Sequence, residues 1–132
     1  MNSLLLTLTL AFAPFTVMTE ALSAQSIGDI TKALGSGDLA SLTGMMDAEV
    51  ELSILADENT YTKEQAREKL AAFFGANTPS GFSQVHQGSS KSDNAEYCIG
   101  NLTTSNGIYR VYIYVAKKGE RMVLQELRFD RE

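Results

Sequence analysis

The sequence holds a single cysteine, Cys98, and a single histidine, His86. One cysteine allows no internal disulfide, so the domain must rest on its apolar core. One Cys and one His also exclude a thiolate–imidazole metal site, and no metal ligand set is expected. Cys98 stands between Tyr97 and Ile99 in a strand-like run, the setting of a buried, inert thiol. The common catalytic templates are absent too: Gly-x-Ser-x-Gly, a Gly-rich phosphate loop with Lys, and His-Glu-x-x-His. Nothing calls for a cofactor. Basic residues are in deficit, with 11 Lys and Arg against 16 Asp and Glu. That balance, without a basic cluster beyond Lys117-Lys118, argues against nucleic-acid binding. Internal repeats, low-complexity tracts and linkers are missing as well.

Charge is also missing from Leu4 to Met18, a largely apolar stretch broken by Thr7, Thr9, Pro14 and Thr16. It has the length of the apolar centre of a secretory signal and is too polar for a membrane span. Ala21-Leu22-Ser23-Ala24 supplies small residues for a signal peptidase, and the chain turns polar at Gln25. The expected division is a signal peptide over residues 1–24, cleaved after Ala24, and one domain over 25–132. A cut after Ala13 would place Pro14 next to the scissile bond, and Met1-Asn2-Ser3 lacks the usual Lys or Arg. The alternative, a buried N-terminal helix, should show an apolar stripe rather than apolarity all round. No cysteine lies near the cut, so no lipid or membrane anchor is expected, and the product is a soluble domain outside the cytoplasm.

In that domain Ser26 is a candidate cap for a short helix carrying Ile27, Ile30, Ala33 and Leu34, stopped by Gly35-Ser36-Gly37. Asp38 caps a second short helix through Leu39, Leu42 and Met46. Glu49 to Ile54 alternates like a half-buried strand, Asp57-Glu58-Asn59 is the expected turn, and Tyr61 closes a very short second strand. Thr62-Lys63-Glu64-Gln65 is a capping box opening a helix with Ala66, Leu70, Phe73 and Phe74 along one side, ending at Gly75. Four strands follow at Phe82–Ser90, Glu96–Thr104, Ile108–Ala116 and Met122–Phe129, with hairpins at Asn106-Gly107 and Lys118-Gly119. Gly88 and Gly100 are expected to mark bulges or bends. Tyr109, Val111, Ile113 and Val115 should face the helices, and Ile108, Arg110, Tyr112 and Tyr114 the other way.

This order predicts an α+β fold: a strongly curved antiparallel sheet wrapped around a long helix and two short N-terminal helices. It resembles the nuclear transport factor 2-like, or cystatin-like, cone superfamily. His86-Gln87-Gly88-Ser89, Gly100 to Gly107, Tyr109 to Ile113 and Gln125 to Arg128 also resemble a small exported bacterial family of unknown function. The resemblance implies a periplasmic or secreted location, and a homodimer through the outer sheet face.

Two functional classes follow. In the first the domain is non-enzymatic and binds a partner or a small ligand in the cone, with Arg110, Tyr112 and Tyr114 as interface residues, since Tyr and Arg are enriched at interfaces. The bland explanation of these three is ordinary cross-strand cover. In the second the domain is a pocket enzyme of isomerase, dehydratase or hydrolase type, using His86 and an acid such as Glu126. For this pair the bland explanations are a structural histidine, in phase with Phe82 and Gln84, and a Glu126 paired with Arg110. A structural accessory of a larger envelope complex is a third possibility.

Overall fold

The computed structural model describes residues 22–132; the expected signal lies almost wholly outside the described residues. Its elements run α1 (Leu22–Ser36), α2 (Leu39–Met45), β1 (Met46–Ile54), β2 (Asp57–Thr62), α3 (Lys63–Ala76), β3 (Pro79–Ser90), β4 (Ala95–Thr104), β5 (Gly107–Lys118) and β6 (Arg121–Arg131). The six strands form one sheet in the order β2-β1-β6-β5-β4-β3. All neighbours are antiparallel except β1 and β6, so the expected antiparallel sheet carries one parallel pair.

Helix α1 begins at Leu22, so Ser26 sits inside it and does not cap it. Its buried stripe is Ile27, Ile30, Ala33 and Leu34. It ends in a Schellman arrangement: the Gly37 amide donates to Leu34 and the Asp38 amide to Ala33, with Gly37 at φ +68. Asp38 then caps α2 by accepting from the Ser41 amide at 3.1 Å. At the start of α3 both halves of the Thr62–Gln65 capping box are formed.

The β1–β2 turn is Leu55-Ala56, not Asp57-Glu58-Asn59. Leu55 donates its amide to the Phe129 carbonyl at 2.9 Å, prolonging the ladder to β6, and the chain reverses at once with Leu55 at φ 56. The polar Asp-Glu-Asn run is instead the exposed start of an edge strand. The β4–β5 hairpin turns on Ser105-Asn106 with Gly107 (φ +113) opening β5, one residue earlier than expected. The next turns on Gly119-Glu120, one residue later.

Gly88 and Gly100 are not bulges. A Cβ on Gly88 would run into the Tyr97 ring, and one on Gly100 into the Phe82 ring and the Ser83 carbonyl. Each glycine makes room for an aromatic ring lying across it. Bulges fall instead at Val85, where Gln84 pairs with Gly100 but His86 with Ile99, and at Gln125, where Tyr114 pairs with Glu126 but Val115 with Leu124; the register also shifts at Ser80 in β3 and between Met46 and Glu51 in β1.

The core lies between the helices and the inner sheet face. Ala66, Leu70, Phe73 and Phe74 of α3 are buried, as are Tyr109, Val111, Ile113 and Val115 of β5. Phe73 packs edge-on to Tyr109 at 5.0 Å and tilted to Phe129 at 4.9 Å, and Phe74 reaches Phe129 at 6.3 Å. These rings fill the space between α3 and the sheet. One polar contact is set into them. The Tyr109 hydroxyl donates to Asn77 Oδ1 at 2.7 Å, while Asn77 Nδ2 and its own amide both donate to the Phe73 carbonyl. Asn77 thus closes the last turn of α3 and ties it to β5.

Tyr109→Phe leaves the Asn77 oxygen buried without its donor and should cost ~1–3 kcal/mol. In thermal denaturation that is roughly 4–8 °C per kcal/mol. A midpoint unchanged from wild type would show that the bond does not hold the helix end.

Candidate functional site

The bulge at Val85 decides where the one histidine points. Phe82 pairs with buried Leu102, and Gln84 with Gly100, on the inner face. One extra residue then inverts the phase, and His86 pairs with Ile99 on the outer face. The expectation that His86 shares a face with Phe82 and Gln84 is therefore overturned. Its exposed ring meets Tyr97, with Nε2 3.0 Å from the Tyr97 hydroxyl and centroids 5.6 Å apart.

Tyr97 in turn stacks on Tyr112 at 6.3 Å and 26°. Across the outer face, side chains lie in rows set by strand register. One row runs His86, Ile99, Tyr112, Arg128, Ser53, Glu58; the next runs Gly88, Tyr97, Tyr114, Glu126, Glu51, Thr60. A third, on the opposite side of the first, holds Ser83, Asn101, Arg110 and Asp130. Arg110, Tyr112 and Tyr114 all lie on this half-buried face, as expected from alternation.

The ion pairs differ from expectation. Arg110 does not meet Glu126. It grips Glu132 with two hydrogen bonds, 3.0 and 3.1 Å, and donates to Asn101 Oδ1 at 3.0 Å. The cation beside Glu126 is Arg128, two residues along β6 at 3.5 Å, which also lies 3.6 Å from Glu58. Arg110 sits two rows from Glu126, whereas Arg128 is its next neighbour on the same strand face. Burial pushes the Tyr112 hydroxyl above its ordinary pKa, helped by the negative charge of Glu126 and by Tyr114 and Tyr97, with Arg128 pulling the other way.

Beside this face lies a depression of about 320 Å³ lined by Asp47, Glu49, Glu51, Thr60, Tyr114, Gln125 and Glu126. Asp47 is engaged at its rim: Lys118 Nζ donates to it at 2.7 Å and Gln125 Nε2 at 3.3 Å. The Lys118 hydrogen bond holds the Asp47 carboxyl below its usual pKa, against the opposing effect of burial. Lys118 was expected only as part of a hairpin tip; here it clasps the β5–β6 turn to β1. Among the described residues no group of three His, Cys, Asp or Glu is placed to hold a metal ion. Cys98 is fully buried, and burial raises its thiol pKa, so it stays protonated and inert.

His86 and Glu126 thus share an open face, one tied to Tyr97 and the other to Arg128, and do not converge in an enclosed cavity. Sequence reasoning missed Tyr97, Ile99 and Asn101 as part of this surface. The signal was present, since Cys98, Gly100 and Leu102 alternate with them as the inward set.

Over residues 27–130 the chain matches the model of the family described as domain of unknown function DUF4783. The chain belongs to that family. It is similar to crystal structures of DUF4783 proteins from Bacteroides ovatus (28% identity, 79% of this chain and 93% of that one, TM-score 0.74) and Bacteroides uniformis (28%, 80% and 95%, 0.74). A de novo designed protein with a curved β-sheet shares the fold at 12% identity, 81% and 97% coverage and TM-score 0.67. The nuclear transport factor 2-like α+β fold expected from the sequence is thus the fold observed. No curated protein matches the chain significantly.

Proposed function

With this chain a member of the DUF4783 family, we propose that it is an exported binding domain that works through its outer sheet face, forms a homodimer there, and catalyses no reaction. The observation that carries this is the stack of Tyr112 on Tyr97, continued by the Tyr97–His86 hydrogen bond. Aromatic rings with polar tips, flanked by Arg110 and Arg128, have the composition of an interface centre. The inner side offers less: Phe73, Phe74, Tyr109 and Phe129 pack together as part of the buried core between α3 and the sheet. The enzyme alternative needs His86 and Glu126 to converge, and no observation favours it. Export rests on the apolar, uncharged run before Ala24; no helix among the described residues is long and apolar enough to cross a membrane.

Sedimentation at tens of micromolar should show a dimer, and Tyr112→Glu should shift it to monomer by placing a charge at the centre of the face. A wild-type chain that stays monomeric contradicts the dimer. Sequencing the N-terminus of exported protein should find Gln25 first; an intact Met1 on folded protein contradicts export.

A further inference from the structure

The outer face is polarised. The β3–β4–β5 half carries His86, Tyr97, Ile99, Arg110, Tyr112 and Tyr114, with Lys118 at its end, while the β6–β1–β2 half carries Glu126, Glu51, Glu49, Glu58 and Asp130, with Arg128 and, at the strand end, Arg121 as its cations. Glu51 and Glu126 stand directly opposite each other on neighbouring strands, a repulsive arrangement unless something polar or positive is brought against it. Both halves belong to one surface, so a second copy can supply to each half what the other holds.

Resting on the face-to-face dimer proposed above, we infer the orientation of the second copy: its two-fold axis runs parallel to the strands, over the seam between β5 and β6. Such an axis keeps each side chain at its own level along the strands and exchanges β5 with β6, β4 with β1 and β3 with β2. Arg110 then meets Asp130 of the partner subunit, and Tyr112 meets the partner's Arg128, cation over ring. Tyr114 meets the partner's Glu126, Tyr97 the partner's Glu51, and His86 the partner's Glu58. Two hydroxyls donate to carboxylates, and the one like-charged pair, Lys118 over the partner's Arg121, falls at the far end of the strands, where Lys118 is already held by Asp47.

An axis turned across the strands lays β6 on β6 and does worse wherever it is centred. Centred on Arg128, it sets arginine on arginine and Glu126 on Asp130. Centred between Glu126 and Arg128, it leaves Arg110 and Asp130 without matches. Centred between Arg128 and Asp130, it sets Glu126 on Glu132. Like charges brought together at the buried centre of an interface cost far more than a pair at its solvated edge, and they disfavour these modes.

The test uses two positions that are far apart within one chain. Tyr97 and Glu51 are three strand spacings apart, ~14 Å at about 4.8 Å each. This exceeds the screening length of ~8 Å at physiological salt, so they meet strongly only across the dimer. Tyr97→Glu should weaken the dimer about tenfold or more in sedimentation equilibrium by facing the partner's Glu51. Adding Glu51→Lys in the same chain should recover most of that loss. Since Tyr97 also covers Gly88, thermal melts accompany each variant, and His86→Glu with Glu58→Lys repeats the logic at exposed positions less tied to folding. Rescue in either folded pair supports the axis. Folded single variants that weaken the dimer without rescue overturn the axis while leaving the face dimer standing. A wild-type monomer overturns both.

Discussion

The packing of Phe73 and Phe74 against Tyr109 and Phe129, pinned by the hydrogen bond from Tyr109 to Asn77, is the constraint on which the rest of the molecule depends. Together with α1, which lies against β3 to β6, it covers the inner side of the sheet. A curved sheet around a helix can hold a ligand only where side chains leave room, and here four aromatic rings pack against one another between α3 and the sheet. The buried polar contact is fully satisfied: Asn77 donates to Phe73 and accepts from Tyr109, so it sets the position of α3 without leaving an orphan group. With the inside occupied, the chemistry-bearing side chains lie on the outside, and this follows from strand phase.

Phase is also where residue-level reading and structure part. Alternation along Ile108–Ala116 was legible without ambiguity, because β5 carries no bulge at its contacts with β4 and its inward set is uniformly apolar. The capping box at Thr62 and the stripe Ala66, Leu70, Phe73, Phe74 were legible for the same reason: local chemistry and burial point to one answer. His86 was not, because a single extra residue at Val85 inverts its face, and nothing about a valine in an apolar–polar run announces a bulge. The glycines drew attention away from it. They are in the strands to let Tyr97 and Phe82 lie flat, a packing demand from residues distant in sequence.

Partners across the sheet were legible only in kind. That Arg110 and Glu126 would each find an opposite charge followed from composition, but which one depends on register. Register places Arg110 two rows from Glu126 and brings Glu132 into its grip instead. Exposed pairs of this sort contribute little to stability, so they serve better as a record of how the face is arranged than as its cause. The β1–β2 turn shows the same limit, since the bond from Leu55 to Phe129 makes the chain reverse two residues before the polar run that looks like a turn.

The central claim, that this domain acts through its outer sheet face over a filled interior, is tested most directly by two-dimensional amide NMR of the isotope-labelled domain as its concentration is raised from micromolar to millimolar. The account predicts concentration-dependent shifts or broadening at Tyr97, Ile99, Tyr112, Tyr114, Glu126 and Arg128, with Phe73, Phe74 and Asn77 unmoved. Spectra that do not change, or changes confined to α3 and the inner face, would contradict it.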